Sequence, residues 1–580
     1  MAKIKRLNFN MILFLIIFLW FIFSFMIFPN IQIMKTIFFD QQTSAGESIQ
    51  AILKSQRAMQ GIKNSFILAI TLSVTTTIVG ILEVLFLEYF EIKLRKIINL
   101  AYMIPLIFGG VMVANGYIFT YGSKGFITTF LLKVFPNMNP SWFSGYHAVI
   151  FLMTFACTST YMIFFRNSFK GIDYQTVEAA RGLGASNFKI IFQIILPTLK
   201  PIILTCTVLL FQTGLMAMSA PLMVGGREFE TISPLILTFT QRPSSRTLAA
   251  VLSLFLGVIQ LLLLYLLQRN ERKGNFLSIS KVSTQIKRTK IHNPIINVVV
   301  HVLAYVFALI NLIPFVIVIL FSFTDVQAIA SRKLQLSGFS LENYKMILTS
   351  ESAYRPFLTS VFYAAVSSIV VVALMLVVAH FVYKKRNKFT TILEMIIYTP
   401  WVFPGLMFAL GLVITYSKPH VIVMNNILTG TLVIMLIAYI IVMMPNTFRF
   451  LKASFFAVNS SLEDAAKNLG AKSTYTFVKI VLPIVLPTVL AMLAINFNGK
   501  LSEYDLSVFL YNPIAKPIGV VIKNNSSTDA GIEGIALNFV YSVILMTINA
   551  MIFFFVYADG KNTIKNLFKK KRKITINENQ

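Results

Sequence analysis

The sequence predicts an all-α membrane protein of about twelve transmembrane helices, arranged as two parallel, homologous six-helix halves. Three observations lead there. Apolar residues make up 56% of the 580 positions and the mean hydropathy is +0.75, which excludes a soluble globular chain. Apolar runs of about 18 or more residues, long enough to cross a hydrocarbon core, recur along the whole length. A polar segment also occurs twice, 286 residues apart, each time between long apolar stretches.

Twelve runs qualify as spans: near 10–28, 62–87, 97–120, 146–165, 201–222, 247–268, 296–321, 357–382, 390–415, 426–447, 488–510 and 536–557. The first has a basic start like a signal peptide's. No small-residue cleavage site follows, since the chain runs on into Phe28, Pro29 and Asn30, so it reads as an uncleaved first span. Spans two and three meet at a short basic turn, 91–96, and spans eight and nine at 383–389. The polar segments follow spans four and ten. The halves are therefore 1–268 and 296–557, joined by a linker at 269–295 rich in Lys, Arg and Ser and followed by a basic tail at 558–580.

The repeat is wider than the polar segments. Residues 168–201 and 454–487 align without gaps and are identical at 11 of 34 positions. At an offset of 295, Pro105, Gly110, Ala114 and Gly116 match Pro400, Gly405, Ala409 and Gly411, and Asn64-Ser65 sits opposite Thr359-Ser360. A longer connection at 121–145 in the first half accounts for the change of offset. An even number of spans per half keeps both polar segments on one side, so the repeats are parallel and not inverted.

A net charge of +29 raises the question of nucleic acid, but the distribution of charge answers it. With a cytosolic N-terminus, most Lys and Arg fall on cytosolic segments. These are Lys3, Lys5 and Arg6, then Lys93, Arg95 and Lys96, the linker, the group Lys384, Lys385, Arg386 and Lys388, and the tail from Lys569 to Lys573. That positive-inside bias places both termini in the cytosol of a multi-pass plasma (inner) membrane protein. Anionic lipid headgroups suit such basic edges without any nucleic-acid partner. Cys157 and Cys206 fall inside spans, as small buried apolar residues do. The five histidines are scattered without ligand spacing, so no metal site is expected from this chain alone.

The polar segments have the grammar of a helix, a turn and a second helix. Glu178, Ala179 and Ala180 favour a helix. Gly184 can take the left-handed conformation that ends it. Ser186 or Asn187 can cap a second helix with an apolar face of Phe188, Ile191, Ile194 and Ile195. Pro197 and Pro201 are expected to interrupt that helix before span five, leaving it at the membrane surface. The second copy repeats the plan with Asp464, Ala465, Ala466, Gly470, a cap at Ser473 or Thr474, and Pro483 and Pro487.

This pattern resembles the Glu-Ala-Ala loop of the permease subunits of ABC importers, the binding-protein-dependent transport inner-membrane family, whose motif runs Glu-Ala-Ala, three residues, Gly, then Ile-x-Leu-Pro. Glu178, Ala179, Ala180, Gly184, Leu196 and Pro197 match it in one half; Asp464, Ala465, Ala466, Gly470, Leu482 and Pro483 match it in the other. The second copy departs in having Asp464 for Glu, with Glu463 just before it. The resemblance covers nearly the whole chain and implies a type I ABC importer permease fold. It further implies that each loop is a coupling helix docking on one of two copies of a separate ATPase subunit, with its acidic residue pairing to a basic group there. An external solute-binding protein would deliver the substrate. ATP would be bound by the partner and no cofactor by this chain. No Gly-x-x-x-x-Gly-Lys-[Ser/Thr] phosphate loop is present, the nearest fragment being Gly499-Lys500-Leu501, so hydrolysis is expected on the partner and this chain is not itself an enzyme. Fusion of two halves in one chain resembles the ferric-iron permeases most, and thiamine and 2-aminoethylphosphonate permeases share the layout. Fe(III) is accordingly the expected solute. An ion-gradient-driven secondary transporter, which can also have twelve spans in two parallel halves, is the alternative class; it would need charged sites at the midplane.

Charges within spans are functional candidates. Glu83 and Glu88 read as partners of Lys93 and Arg95 in salt bridges at the inner edge. Lys500, Glu503 and Asp505 cluster late in span eleven, where Glu503 and Asp505 either line a translocation path or tie helices together. Gly110 and Gly405 either break span three of each half beside such a path or allow close helix packing.

Overall fold

A computed structural model describes residues 9–38, 45–242, 245–273, 288–331, 334, 336–385, 387–402, 405–526 and 531–553. Lys3, Lys5, Arg6, Arg386, Pro404, linker residues 274–287 and the tail at 558–580 lie outside the described residues. Helices dominate, and the described residues form no β-strand beyond isolated bridges.

Among the described residues ten helices are long and apolar enough to span a bilayer, and two bent helix pairs, at the place of the third span in each half, bring the candidate spans to as many as twelve. In chain order these and their neighbours are α1 (Met11–Phe38), α2 (Gln56–Tyr89), α3 (Arg95–Met103), α4 (Gly110–Tyr121), α5 (Gly145–Phe169), α6 (Tyr174–Gly182), α7 (Asn187–Leu215), α8 (Ile232–Thr240), α9 (Arg246–Lys273), α10 (Pro294–Ser322), α11 (Glu351–Lys384), α12 (Lys388–Ile397), α13 (Gly405–Tyr416), α14 (Leu432–Phe456), α15 (Ser460–Asn468), α16 (Ser473–Leu501) and α17 (Ile532–Phe553).

Contacts divide the chain into two compact units. One comprises residues 1–45, 355–520 and 545–580, the other 46–354 and 521–544. The repeat boundary in the linker is thus not a packing boundary: α1, first in sequence, belongs with the spans of the second half, and α10 belongs with those of the first. Two repeat-matched glycines explain the fit. A Cβ on Gly411 of α13 would stand 3.0 Å from Ile33 and 3.3 Å from Pro29, both on α1. On Gly116 of α4 it would stand 3.6 Å from Pro314 of α10. At Gly411 the absent side chain lets α1 approach the backbone, as small residues do in membrane packing, whereas at Gly116 a Cβ would make only ordinary contact. Tyr416 Oη donates to the Ser24 carbonyl at 2.5 Å in one unit, and Tyr102 Oη to the Ala304 carbonyl at 2.9 Å in the other.

The third span is broken in both halves. The helices flanking the break diverge by 118° in the first half and 95° in the second. Pro105 ends α3 in a single 3-10 turn, and α4 restarts at Gly110. Spans five and eleven are displaced from their expected limits. They begin early, at Asn187 and Ser473, and end early, at Leu215 and Leu501, where the chain leaves the helix for an irregular segment. Irregular backbone at membrane depth is tolerated only where protein buries it or a cavity solvates it. The two irregular segments of each half meet: a Cβ on Gly110 would lie 3.5 Å from Ser219, and one on Gly405 3.8 Å from Leu506.

Candidate functional site

Both polar segments fold as the repeat predicts, starting with caps the sequence reading passed over. Asp173 Oδ1 accepts from the Gln175 amide at 3.0 Å and opens α6; Asn459 Oδ1 accepts from the Ser461 amide at 3.0 Å and opens α15. Each satisfies an N–H that the first turn of a helix leaves free. The helices end at Gly184 and Gly470, both at φ +79°, a conformation that only glycine adopts at little cost. The amides of Ala185 and Ala471 reach back to the carbonyls of Ala180 and Ala466 at 3.0 Å in each copy.

The second helix of each segment differs from expectation. Ser186 caps it in the first copy, with Oγ accepting from the Lys189 amide at 3.3 Å, but in the second copy the N-cap is Lys472, with no side-chain bond, and not Ser473 or Thr474. Nor do the prolines interrupt it. It runs unbroken into spans five and eleven, because a single π-turn, Ile191–Ile195 or Phe477–Val481, precedes each Leu-Pro. The Leu196 and Leu482 amides bond the carbonyls of Ile191 and Phe477, five residues back, so the turn widens by one residue where proline lacks an N–H and crowds the preceding turn. A loop helix continuous with a span can transmit displacement along its axis. A surface helix behind a break would absorb it.

The acidic residues of the two motifs are paired locally. Glu178 accepts from Arg181 at 2.5 Å and Asp464 from Lys467 at 3.2 Å, each across one helical turn. The second pair is well exposed on both sides and correspondingly weak. Glu463 does something different from Asp464: it is 4% exposed and ion-paired with Lys384 at the end of α11. The first loop is tied to the matching position by other chemistry. The Arg181 guanidinium lies 5.8 Å from the Tyr89 ring centre, Tyr89 Oη donates to Asn187 Oδ1 at 3.2 Å, and Arg181 also hydrogen-bonds Thr289. Thr289, from the linker, is pinned as well by backbone bonds to Tyr89 (2.8 Å) and Glu91 (3.1 Å). The sequence carried one signal for Arg181, a cation three residues after the motif acid in both copies. Thr289, far away in sequence, gave none.

Glu88 accepts from Arg166, from Arg95 at 3.1 Å, and lies 3.9 Å from Arg288 of the linker. Lys93, expected in that role, is not among its partners. Arg166 also donates to Asn99 at 3.0 Å; at the matching positions of the second half Lys452 pairs with Glu394 at 2.5 Å. Glu83 does not join this edge cluster. It is fully buried and makes no ion pair among the described residues, because it lies more than a turn deeper in α2.

Of the residues placed on a translocation path, Glu503 has a constructional role. Its carboxylate accepts from the Leu506 amide at 2.6 Å, the Ser507 amide at 3.1 Å and Tyr439 Oη at 3.0 Å, which holds the turn after α16. Asp505 is exposed on that turn. Gly110 and Gly405 sit at the breaks of the third spans, and Pro197 and Pro483 begin the regular part of spans five and eleven.

Two repeated loops, each continuous with a membrane-spanning helix in a chain with up to twelve candidate spans, fit a membrane permease of the ABC transporter class. The profile described as "Binding-protein-dependent transport system inner membrane component" matches residues 372–559. The probable ABC transporter permease protein y4fN of Sinorhizobium fredii is 34% identical over 535 residues, 92% of this chain and 93% of that protein. The putative ferric transport system permease protein FbpB 1 of Haemophilus influenzae is 22% identical over 498 residues, 84% of this chain and 76% of its own. The ferric transport system permease protein FbpB of Actinobacillus pleuropneumoniae is 22% identical over 551 residues, 94% and 77% respectively. This chain belongs to the family of binding-protein-dependent transport system inner membrane components.

Proposed function

We propose that this chain is the membrane passage of an ATP-driven importer of Fe(III). Two copies of a separate ATPase subunit dock on α6 and α15, and an external binding protein delivers the solute to the opposite face. Both loops, both termini and the linker face the cytosol of the plasma membrane. The chain binds no cofactor of its own, and ATP is bound and hydrolysed by the partner. Closure of the ATPase pair draws the loops together, and the unbroken helices α7 and α16 carry that movement into the spans.

The observation that supports the coupling role is the exposure of the loop tips. Leu183 and Leu469, at equivalent positions beside the terminal glycines, are 89% and 87% exposed. A leucine held out so fully on a well-formed helix end gains nothing for the fold and is available to a partner. The iron assignment is supported by likeness to ferric permeases along most of the chain. Membership of the family leaves the ion-gradient-driven alternative without support.

Uptake of radioiron, thiamine and 2-aminoethylphosphonate into cells lacking this gene tests the substrate. Loss of iron uptake alone is expected. Unchanged iron uptake, in a strain with no redundant iron importer, overturns the iron assignment. Affinity purification of the full chain with the neighbouring ATPase tests the partner, and the two should elute together in a ratio of about two ATPase copies per chain.

A further inference from the structure

A concavity of about 360 Å³ lies between α5 and α7 in the unit that contains residues 46–354. Thr160, Tyr161 and Phe164 of α5 line it together with Gln212 and Thr213 of α7 and Met216, the residue that ends α7. Its depth follows from helix geometry. Thr160 is 15 residues from the start of α5 and 9 from its end, which at the α-helical rise is about 22 Å and 14 Å. The concavity therefore lies within the span, about 9 Å along α5 from Arg166 of the edge cluster, at the level where α7 stops and the chain becomes irregular.

Its chemistry is unusual for that depth. Thr160 and Thr213 are exposed, and Gln212 is half-exposed with an amide that can both donate and accept. Tyr161 Oη stands 3.4 Å from Thr213 Oγ1. Hydrogen-bonding side chains turned outward within a span do not suit hydrocarbon; they suit water or a polar ligand. The second half repeats the pattern with different residues of the same kind. Asn446 replaces Thr160 and is likewise exposed, Thr447 replaces Tyr161, and Asn498 replaces Gln212 with a buried Oδ1 that has no partner. Three of the four positions thus carry a neutral hydrogen-bonding group in both copies, while Gly499 stands opposite Thr213.

We infer that Thr160, Tyr161, Gln212 and Thr213 form a solute-binding site within the membrane span for a solute that offers hydrogen-bond acceptors and carries little net charge. None of the lining residues is charged. A bare trivalent cation would find hydroxyls, one amide and a thioether, and no anionic ligand to offset the loss of its hydration. A ferric ion whose charge is neutralised by oxyanion ligands presents the acceptors that these donors match, with Phe164 and Met216 supplying the apolar wall usual in ligand sites. This rests on the import role proposed above and narrows it: iron crosses as a chelate.

The test uses the full chain with its ATPase and binding protein in proteoliposomes, offered ferric citrate carrying radioiron and carbon-labelled citrate. Both labels should enter in a fixed ratio. Gln212→Leu and Thr213→Val should each cut entry about tenfold while ATP hydrolysis stimulated by the binding protein stays within about twofold of the wild type. Radioiron entering without citrate, entry of the cation thiamine, or unaltered entry in both variants overturns the site. If wild-type vesicles consume ATP but admit no iron in any form, it is the iron reading of the previous subsection that fails; 2-aminoethylphosphonate entry that is lost in both variants would then still support the site, and entry retained would overturn it.

Discussion

Ser65 Oγ accepts a hydrogen bond of 2.8 Å from the backbone amide of Ile232, the first residue of α8, and Ser360 Oγ accepts one of 2.8 Å from the amide of Ile518 at the matching place in the other half. Each serine sits near the start of a long span, α2 or α11, and fixes the helix that follows the irregular segment after span five or eleven. Both hydroxyls are buried, so the amide has no water to turn to if the serine is lost. Ser65→Ala and Ser360→Ala should each lower stability by about 1–2 kcal/mol, the cost of leaving a buried donor unpaired. Thermal melting of the detergent-purified chain reads it. The serines lie in separate compact units and share no partner, so the double variant should lose close to the sum. A melt unchanged by either substitution would show that the irregular segments are held by something else.

The pair formed by Lys384 and Glu463 leads to a second expectation. Glu463 is almost fully buried, and Lys384 is only a third exposed. Lys384→Met strands a buried carboxylate, so the cost should exceed that of losing the ion pair itself, at about 1–3 kcal/mol after allowing for the exposed side of the lysine. The double variant Lys384→Met with Glu463→Gln removes both charges and should recover part of that stability. Coupled ATP hydrolysis should fall in the single variant, because α15 is then no longer fastened to α11. A double variant no better than the single would mean that the charges are not what fastens it.

Gly184 and Gly470 separate conformational cost from crowding. Nothing stands within 4 Å of where a Cβ would lie at either position, so a side chain meets only the strain of φ +79°. Alanine should cost about 1–2 kcal/mol locally and weaken ATPase binding. Asparagine, which tolerates the left-handed region better, should retain more binding than alanine at both sites. Pull-down of the ATPase by each variant measures the order glycine, asparagine, alanine; an alanine variant that binds as well as the wild type would remove the turn from the docking surface.

The repeat made much of this legible, and where it failed it did so for physical reasons. Ser65 and Ser360, Gly116 and Gly411, and Gly184 and Gly470 all stood out as paired positions; the serines and the loop glycines proved to do the same work in both halves, while Gly411 is packed more tightly than Gly116. Most spans were readable from hydrophobic length alone, but the limits of spans five and eleven and the breaks in the third spans were not. The exchange of first helices was not, because apolar periodicity says that a helix is buried and not against what. The π-turns before Pro197 and Pro483 were hidden for a similar reason. A proline announces a defect in the hydrogen-bond ladder, but widening by one residue repairs the ladder without breaking the helix, and sequence does not distinguish the two outcomes. Glu83 and Glu88 are five residues apart and looked alike. Only depth separates them, with Glu88 reaching arginines at the edge and Glu83 fully buried more than a turn deeper.

The exposed tips of the loops carry the last expectation. Leu183 and Leu469 are the most exposed leucines near the motif, and their neighbours differ: Phe188 and Phe192 accompany the first, at 70% and 53% exposure, and Tyr475 and Val478 the second, at 58% and 46%. The first surface is the more aromatic, and aromatic side chains bury more area on docking. Leu183→Asp and Leu469→Asp should leave the melting of the isolated chain within about 0.5 kcal/mol of the wild type, since neither side chain packs on the fold. Each should nevertheless weaken ATPase binding by about tenfold or more, because a charge replaces an apolar anchor that docking desolvates. Removing the anchor from the more aromatic loop should cost less, as Phe188 and Phe192 remain to hold the partner, so Leu469→Asp should be the more damaging of the two. Titration of the purified chain with ATPase, followed by size-exclusion or interferometry, gives both affinities. Equal loss at the two loops would show that docking depends on the shared leucine alone, and no loss at either would move the docking surface away from the loop tips.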